Sequence, residues 1–370
     1  MTRRQIKAHT ALRGIAALMV VGYHLQFGGG YRLWAEQATQ IFHRSYLCVD
    51  LFFVLSGFVI SYTNNGAREQ PMGRHEFFSF IASRFSRIYP LHFFCLVMML
   101  ILLTMENQLF HFIGKEHLVH DLNYGNFFIQ LLLLNAWIPD TGWNIASWSI
   151  SAEMVAYFLF PVMVSIVAFR RFAGIGLLLL LSLTFYAYVA MTTGVLDIIS
   201  GLAPLRCLAG FALGMLVYLS RDVWHRVPSP VLSLLQIAAV GWSAAVLATD
   251  LNDVLVIPPF MLVVASTWTD RGLLPKLLNW RIPLFLGEIS YSIYLTHLVL
   301  ILSLPWSLLE PQLGHGIGAF RAGYLLVMLA GIIVASTLTY TFVEKPARQW
   351  LLKRLFHRER PAIETVASAP

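Results

Sequence analysis

Residues Leu12–His24 read LRGIAALMVVGYH, with an arginine and a histidine eleven positions apart in an otherwise apolar run. Eleven residues make about three helical turns, so Arg13 and His24 fall near one face, roughly 16 Å apart along the axis. If the run crosses a membrane, Arg13 sits at one edge and His24 well inside the hydrocarbon. An ionisable group at that depth is expensive to hold and points to a function. The competing reading is a histidine satisfied by packing between helices.

The whole chain favours the membrane. Of its 370 residues 58% are hydrophobic and 12% charged, with a mean hydropathy of +0.68. A soluble domain carries about twice that charge fraction. Cys48, Cys95 and Cys207 are scattered through apolar stretches with neither disulfide nor metal-ligand spacing, so no metal is expected. The Arg3-Arg4 pair resembles an export signal only weakly. The run behind it has no small-residue cleavage site, which predicts a retained helix.

Apolar segments lie at 11–28, 46–63, 88–105, 127–138, 147–169, 174–191, 203–219, 231–249, 254–268, 283–303 and 321–343. A crossing needs roughly 20 apolar residues. Segment 127–138 is too short and reads as a re-entrant or interfacial piece; 254–268 is also short but must cross for the charges to fall correctly. The expectation is an all-α polytopic membrane protein with ten transmembrane helices plus one short re-entrant or interfacial segment. Both termini are then cytoplasmic. On that layout 21 of the 26 Lys and Arg residues face the cytoplasm, leaving Arg32, Arg44, Lys115, Arg206 and Arg321 outside. Counting 127–138 as a crossing would move Arg170 and Arg171 to the wrong side. The net charge of +7 therefore reflects topology and anionic membrane lipids rather than nucleic-acid binding. Residues 1–350 form one membrane domain, and 351–370 a short cytoplasmic tail read as disordered.

Three ionisable groups converge in depth on this layout. His24 lies about 19 Å from the inner end of its helix, His297 about 21 Å from the inner end of the helix starting near Pro283, and Glu153 about 9 Å below the outer surface. With a hydrocarbon core about 30 Å thick they share one level, which predicts a common polar cavity. Asp50 opens the second helix, as a cap or as a site residue. WSISAE adds Trp148, Ser149 and Ser151 within two turns of Glu153. SYSIYLTH sets Tyr291, Tyr294 and His297 on one helix face, for substrate contact or for interhelical hydrogen bonds. Arg84 and Arg87, at i and i+3 in RFSRIYPLH, present two guanidinium groups on one face near Arg13. They are either positive-inside anchors or forks for a phosphate. A buried neutral histidine can take a proton from a hydroxyl, and a nearby carboxylate can orient it. The layout suits transfer of a group from a phosphate-bearing donor to an alcohol.

Arg13 through His24 also resembles the R-x10-H signature of the acyltransferase-3 family of integral-membrane acyltransferases. The likeness extends over nearly the whole chain, through VDLFFVLSGFVI at 49–60, SRFSRIYPLH at 83–92, WSISAE at 148–153, SYSIYLTH at 290–297 and VEKP at 343–346. Cys48 stands where a glycine is often found. The resemblance implies a ten-helix bundle that moves acyl groups, usually acetyl, from cytoplasmic acyl-CoA to extracytoplasmic sugars. It implies catalytic roles for His24 and Glu153, with Arg13 as the signature partner of His24 and Arg84 and Arg87 serving the CoA phosphates. Substrate contacts are expected from Arg13, Asp50, Trp148, Ser149, Tyr291, Tyr294 and His297 as well. Acetyl-CoA enters as a co-substrate. Because the chain ends soon after the tenth helix, a fused esterase-like domain is not expected. The acceptor is then a carbohydrate or lipid-linked glycan that reaches the cavity itself, or a macrolide-type natural product. The competing class is a proton-coupled carrier of a sugar or lipid-linked oligosaccharide, which would show paired repeats and broken helices in both halves. Neither pattern is present in the sequence.

Overall fold

The computed structural model describes residues 5–27, 40–64, 70–114, 122–139, 143–303 and 318–356. Arg3, Arg4, Arg32, Arg68, Lys115, Arg358 and Arg360, and the tail from 357 on, lie outside them. Among the described residues the chain is helical, without a strand. In order come α1 (Lys7–Phe27), α2 (Gln40–His43), α3 (Cys48–Thr63), α4 (Arg74–Phe112) and α5 (Tyr124–Leu131). Then follow α6 (Trp148–Phe169), α7 (Arg171–Thr192), α8 (Ala203–Leu219), α9 (Arg221–Arg226), α10 (Ser229–Ala248) and α11 (Ile257–Thr267). The last are α12 (Leu273–Leu278), α13 (Arg281–Glu288), α14 (Ser290–Ser303), α15 (Gly318–Thr339) and α16 (Lys345–Phe356).

Six helical stretches are long and apolar enough to cross a membrane, and seven if α13 and α14, bent by 69° at their junction, count as one. Ten crossings would require α1, α8 and Asp253–Thr267 as well. These three are shorter or more polar, and α8 is buried along most of its length. Segment 127–138 is helical only over 127–131, the last five residues of the eight-residue α5, too short to span. The boundary drawn at 350 falls inside α16, which runs on to Phe356.

Close packing comes from small residues, as in membrane bundles generally. A Cβ on Gly57 of α3 would strike the Phe211 carbonyl of α8, and one on Gly214 of α8 would strike the Val54 carbonyl of α3. This contact brings Asp50 against Arg206. Two departures from regular helix aim polar groups inward. A π-helical turn at Tyr340–Glu344 joins α15 to α16 and buries Glu344 at 7% exposure. Between α5 and α6 the chain dips into the bundle, with Asn135, Ala136, Asn144 and Ser147 all buried. Irregular backbone at such depth requires internal partners.

Candidate active site

α1 and α14 meet at a histidine pair. His297 Nδ1 lies 3.1 Å from the Ile293 carbonyl and therefore carries its proton. That leaves His297 Nε2 as an acceptor, 3.1 Å from His24 Nδ1. His24 Nδ1 also faces the Val20 carbonyl at 3.0 Å, so it is protonated too. The basic lone pair of His24 falls on Nε2, which has no hydrogen-bond partner among the described residues. Tautomers are assigned here from these partners. The buried ring that orients His24 is thus another histidine, where the sequence reading looked to a carboxylate.

Glu153 sits elsewhere. It accepts a hydrogen bond from Ser56 of α3 and lines a cavity of about 100 Å³ with Arg13, Arg84, Arg87, Tyr157 and Tyr294. The shared level expected for Glu153 and His24 is therefore corrected: Glu153 lies among the arginines, toward the Arg13 end of α1. The reason is where α6 begins. Its N-terminus starts buried within the protein, on a 3₁₀ turn at Ile145–Ser147. Asn144 fixes that depth by donating to the Leu295 carbonyl at 3.0 Å.

The WSISAE motif, with Ser147 just before it, has two faces. On one, Ser147 Oγ accepts from Asn135 Nδ2 at 2.9 Å, and Ser151 Oγ accepts from the Ala136 N–H at 3.1 Å and donates to the Leu133 carbonyl. These bonds satisfy the inward-dipping chain. On the other face, Ser149 donates to the Tyr294 phenol at 2.8 Å, and Glu153 enters the cavity one turn on. Tyr294 stands three residues from His297, with ring centroids 6.1 Å apart. The cavity thus runs from the arginines to Tyr294 and Phe52, next to the histidine pair.

Arg13, Arg84 and Arg87 share that cavity with a single carboxylate. Among the described residues none of the three donates a hydrogen bond or lies within 4 Å of a carboxylate oxygen, and the buried Nε of Arg84 has no partner. Glu344, bonded to Ser292 at 2.8 Å, and Arg348 lie within electrostatic reach of them. Buried donors without partners are costly, and a cationic mouth left unpaired is suited to an anion. Arg348, whose Nε is likewise buried and unpartnered, reads in the sequence only as one of the tail's positive charges.

Two sequence-predicted site residues, Asp50 and Trp148, lie outside the arginine cavity and pack around Arg206. Asp50 is 0% exposed, and both its oxygens are taken by Arg206, at 3.1 Å from Nε and 2.7 Å from a terminal nitrogen. Trp148 packs under that guanidinium at 5.1 Å and edge-on to Phe53. Neither lines the cavity. Arg206 and Arg44, expected among the outer surface charges, are instead buried, because each has a carboxylate partner: Asp50 for Arg206 and Asp253 for Arg44. Tyr291 lines the cavity while donating to the Ile88 carbonyl at 2.6 Å.

At the opposite end of α1 lies a second, open cavity of about 840 Å³, lined by Tyr23, Tyr46, Asp197, Asp250, Asn252 and Asp253 among others. The Tyr23 hydroxyl donates to Asp197 at 3.4 Å, and the Tyr23 ring meets His24 edge-on at 5.1 Å. Desolvation by its neighbours raises the Asp197 carboxyl above its ordinary value, opposed by the pull of Arg206. The two cavities share no lining residue. No cluster of metal-ligating side chains occurs among the described residues.

The profile of the acyltransferase domain of the acyltransferase-3 family matches residues 7–342. Acyltransferase MdmB of Streptomyces mycarofaciens is 31% identical over 392 residues, covering 98% of this chain and 94% of MdmB. YrhL of Bacillus subtilis (strain 168), named for peptidoglycan O-acetylation, is 25% identical and covers 93% of this chain, which spans 55% of YrhL. ORF330 of Acidianus two-tailed virus, named for acetyl transfer, is 24% identical over 78% of this chain and 81% of its own length. No solved structure matches the chain. The chain belongs to the acyltransferase-3 family of membrane acyltransferases.

Proposed function

We propose that this membrane acyltransferase moves an acetyl group from acyl-CoA, entering at the Arg13 end, to a carbohydrate hydroxyl entering at the Tyr23 end. The observation that carries the reading is the pair of contacts around His24: its ring meets Tyr23 of the carboxylate-lined cavity, and its partner His297 meets Tyr294 of the cavity of unpaired arginines. Arg13, Arg84 and Arg87 offer charge-assisted contacts to the donor's phosphates. On the other side, Asp197 and Asp250 can accept from sugar hydroxyls while the Tyr23 ring packs on a sugar face.

In the reaction, His24 Nε2 takes the proton of the acceptor hydroxyl as its oxygen attacks the thioester carbonyl. The tetrahedral centre collapses with loss of the CoA thiolate, which receives the proton from His24. The charge distribution supports a cytoplasmic Arg13 end, with both termini cytoplasmic in a bacterial inner membrane and an extracytoplasmic or lipid-linked glycan as acceptor. The test uses the wild-type protein and His24→Ala in detergent, with acetyl-CoA and a glycan-lipid extract. Wild type should release CoA and yield an acetylated product, and His24→Ala should lose about 10²–10⁴-fold. An unchanged rate in His24→Ala, or sugar movement across vesicles without CoA release, would overturn the reading.

A further inference from the structure

We infer that the Tyr294 hydroxyl donates the hydrogen bond that stabilises the thioester oxyanion, an inference that rests on the acyl-transfer reading above. Every other neutral O–H lining the arginine cavity has already committed its proton. Ser56 donates to Glu153, Tyr157 is hydrogen-bonded to Glu153, Ser290 donates to the Gly287 carbonyl at 2.8 Å, and Tyr291 donates to the Ile88 carbonyl. Ser149 has one proton and two acceptors in reach, the Ala146 carbonyl at 3.2 Å and the Tyr294 oxygen at 2.8 Å, and is assigned here as donor to the nearer, Tyr294. On that assignment Tyr294 receives, and its own proton is free to point into the cavity.

Its place is as telling as its proton. The arginines stand at one end of the cavity and Tyr294 at the other, three residues from the histidine that holds His24. A donor whose phosphates rest on the arginines brings its thioester, the far end of the molecule, to Tyr294. Attack by the acceptor oxygen turns the carbonyl oxygen into an oxyanion while His24 Nε2 holds the proton. Tyr294 Oη–H bonds that oxyanion, and the Ser149 hydrogen bond polarises the phenol, since a donor that also accepts is a stronger donor. When the C–S bond breaks, the oxyanion returns to a carbonyl, the thiolate takes the proton from His24, and Tyr294 keeps its own throughout. A donor aimed at developing charge in a dry site contributes more than it would in water.

The experiment compares Tyr294→Phe and Ser149→Ala with wild type in detergent, using acetyl-CoA with glycan-lipid extract as acceptor. Binding of acetyl-CoA is measured separately by calorimetry. Tyr294→Phe keeps the ring against Phe52 and His297, so a purely packing role predicts a normal rate. The inference predicts a kcat lower by about 10²–10³-fold with acetyl-CoA affinity within about threefold of wild type. Ser149→Ala leaves the phenol in place and should lose less than tenfold. A Tyr294→Phe kcat within threefold of wild type overturns the inference and leaves acyl transfer standing, as does a loss matched by weaker acetyl-CoA binding. A wild-type protein that binds acetyl-CoA but never releases CoA overturns both.

Discussion

Replacing His297 by leucine isolates the contribution of the histidine pair. The substitution removes the acceptor that His24 Nδ1 meets at 3.1 Å and leaves the Val20 carbonyl, at 3.0 Å from the same nitrogen, in place. The tautomer of His24 therefore survives, so the variant should not be dead. In the transition state His24 becomes an imidazolium, and a hydrogen bond to a charged group contributes about 1.5–3 kcal/mol. Each 1.36 kcal/mol is a factor of ten in rate, so the expected fall in kcat is about 10- to 150-fold. The bond strengthens only as charge develops, so KM for acetyl-CoA should stay near wild type. His297→Gln keeps an acceptor oxygen and should recover much of the rate. A continuous assay of CoA thiol release, run alongside His24→Ala, measures all of this. A His297→Leu rate equal to wild type would refute the pairing, and a loss as deep as that of His24→Ala would make His297 the base.

Two further outcomes follow from the arginine mouth and the buried ion pair. Arg84→Ala or Arg87→Ala should weaken acetyl-CoA binding, with lysine a poor rescue because an ammonium lacks the bidentate fork; calorimetry that finds wild-type affinity would reduce these arginines to anchors. Asp50→Ala should cost about 3–5 kcal/mol of stability by leaving Arg206 buried and unpaired, whereas Asp50→Leu combined with Arg206→Met should recover most of it, as read by thermal melting in detergent.

Much of the fold was legible in the sequence because membrane helices declare themselves by composition. Each apolar segment contains a helix, and the shortness of 127–138 was enough to deny it a crossing. The depth of α6 was not legible. Counting residues from the membrane surface assumes that a helix starts there, and α6 starts within the protein on a turn held by Asn135, Asn144 and serines. Glu153 was misplaced for that reason, while His24 and His297 do meet, although the count for His297 assumed one straight helix from Pro283 where α13 and α14 bend by 69°. Asp50 and Arg206 lie 156 positions apart, and nothing local to either one announces the other. The charge count put Arg206 outside because it weighs residues singly, and burial of a charge depends on its partner. A cue did exist in Gly57, Gly210 and Gly214, since small residues on apolar helices mark a close crossing.

The separation of the two cavities has a consequence for the membrane itself. A protein that opens toward both faces of a bilayer risks short-circuiting the ion gradient that the bilayer sustains. Here the arginine cavity ends at Phe52, Phe53 and Tyr294, the opposite cavity begins at Tyr23, and no side chain borders both. Just beside that gap lies the Asp50–Arg206 pair, a neutralised charge layer packed against Trp148. On the proposed function, electrical insulation and chemical handover meet in this gap. The exchange demands only that two carbons pass, and a seal broad enough to stop hydrated ions need open no wider than that.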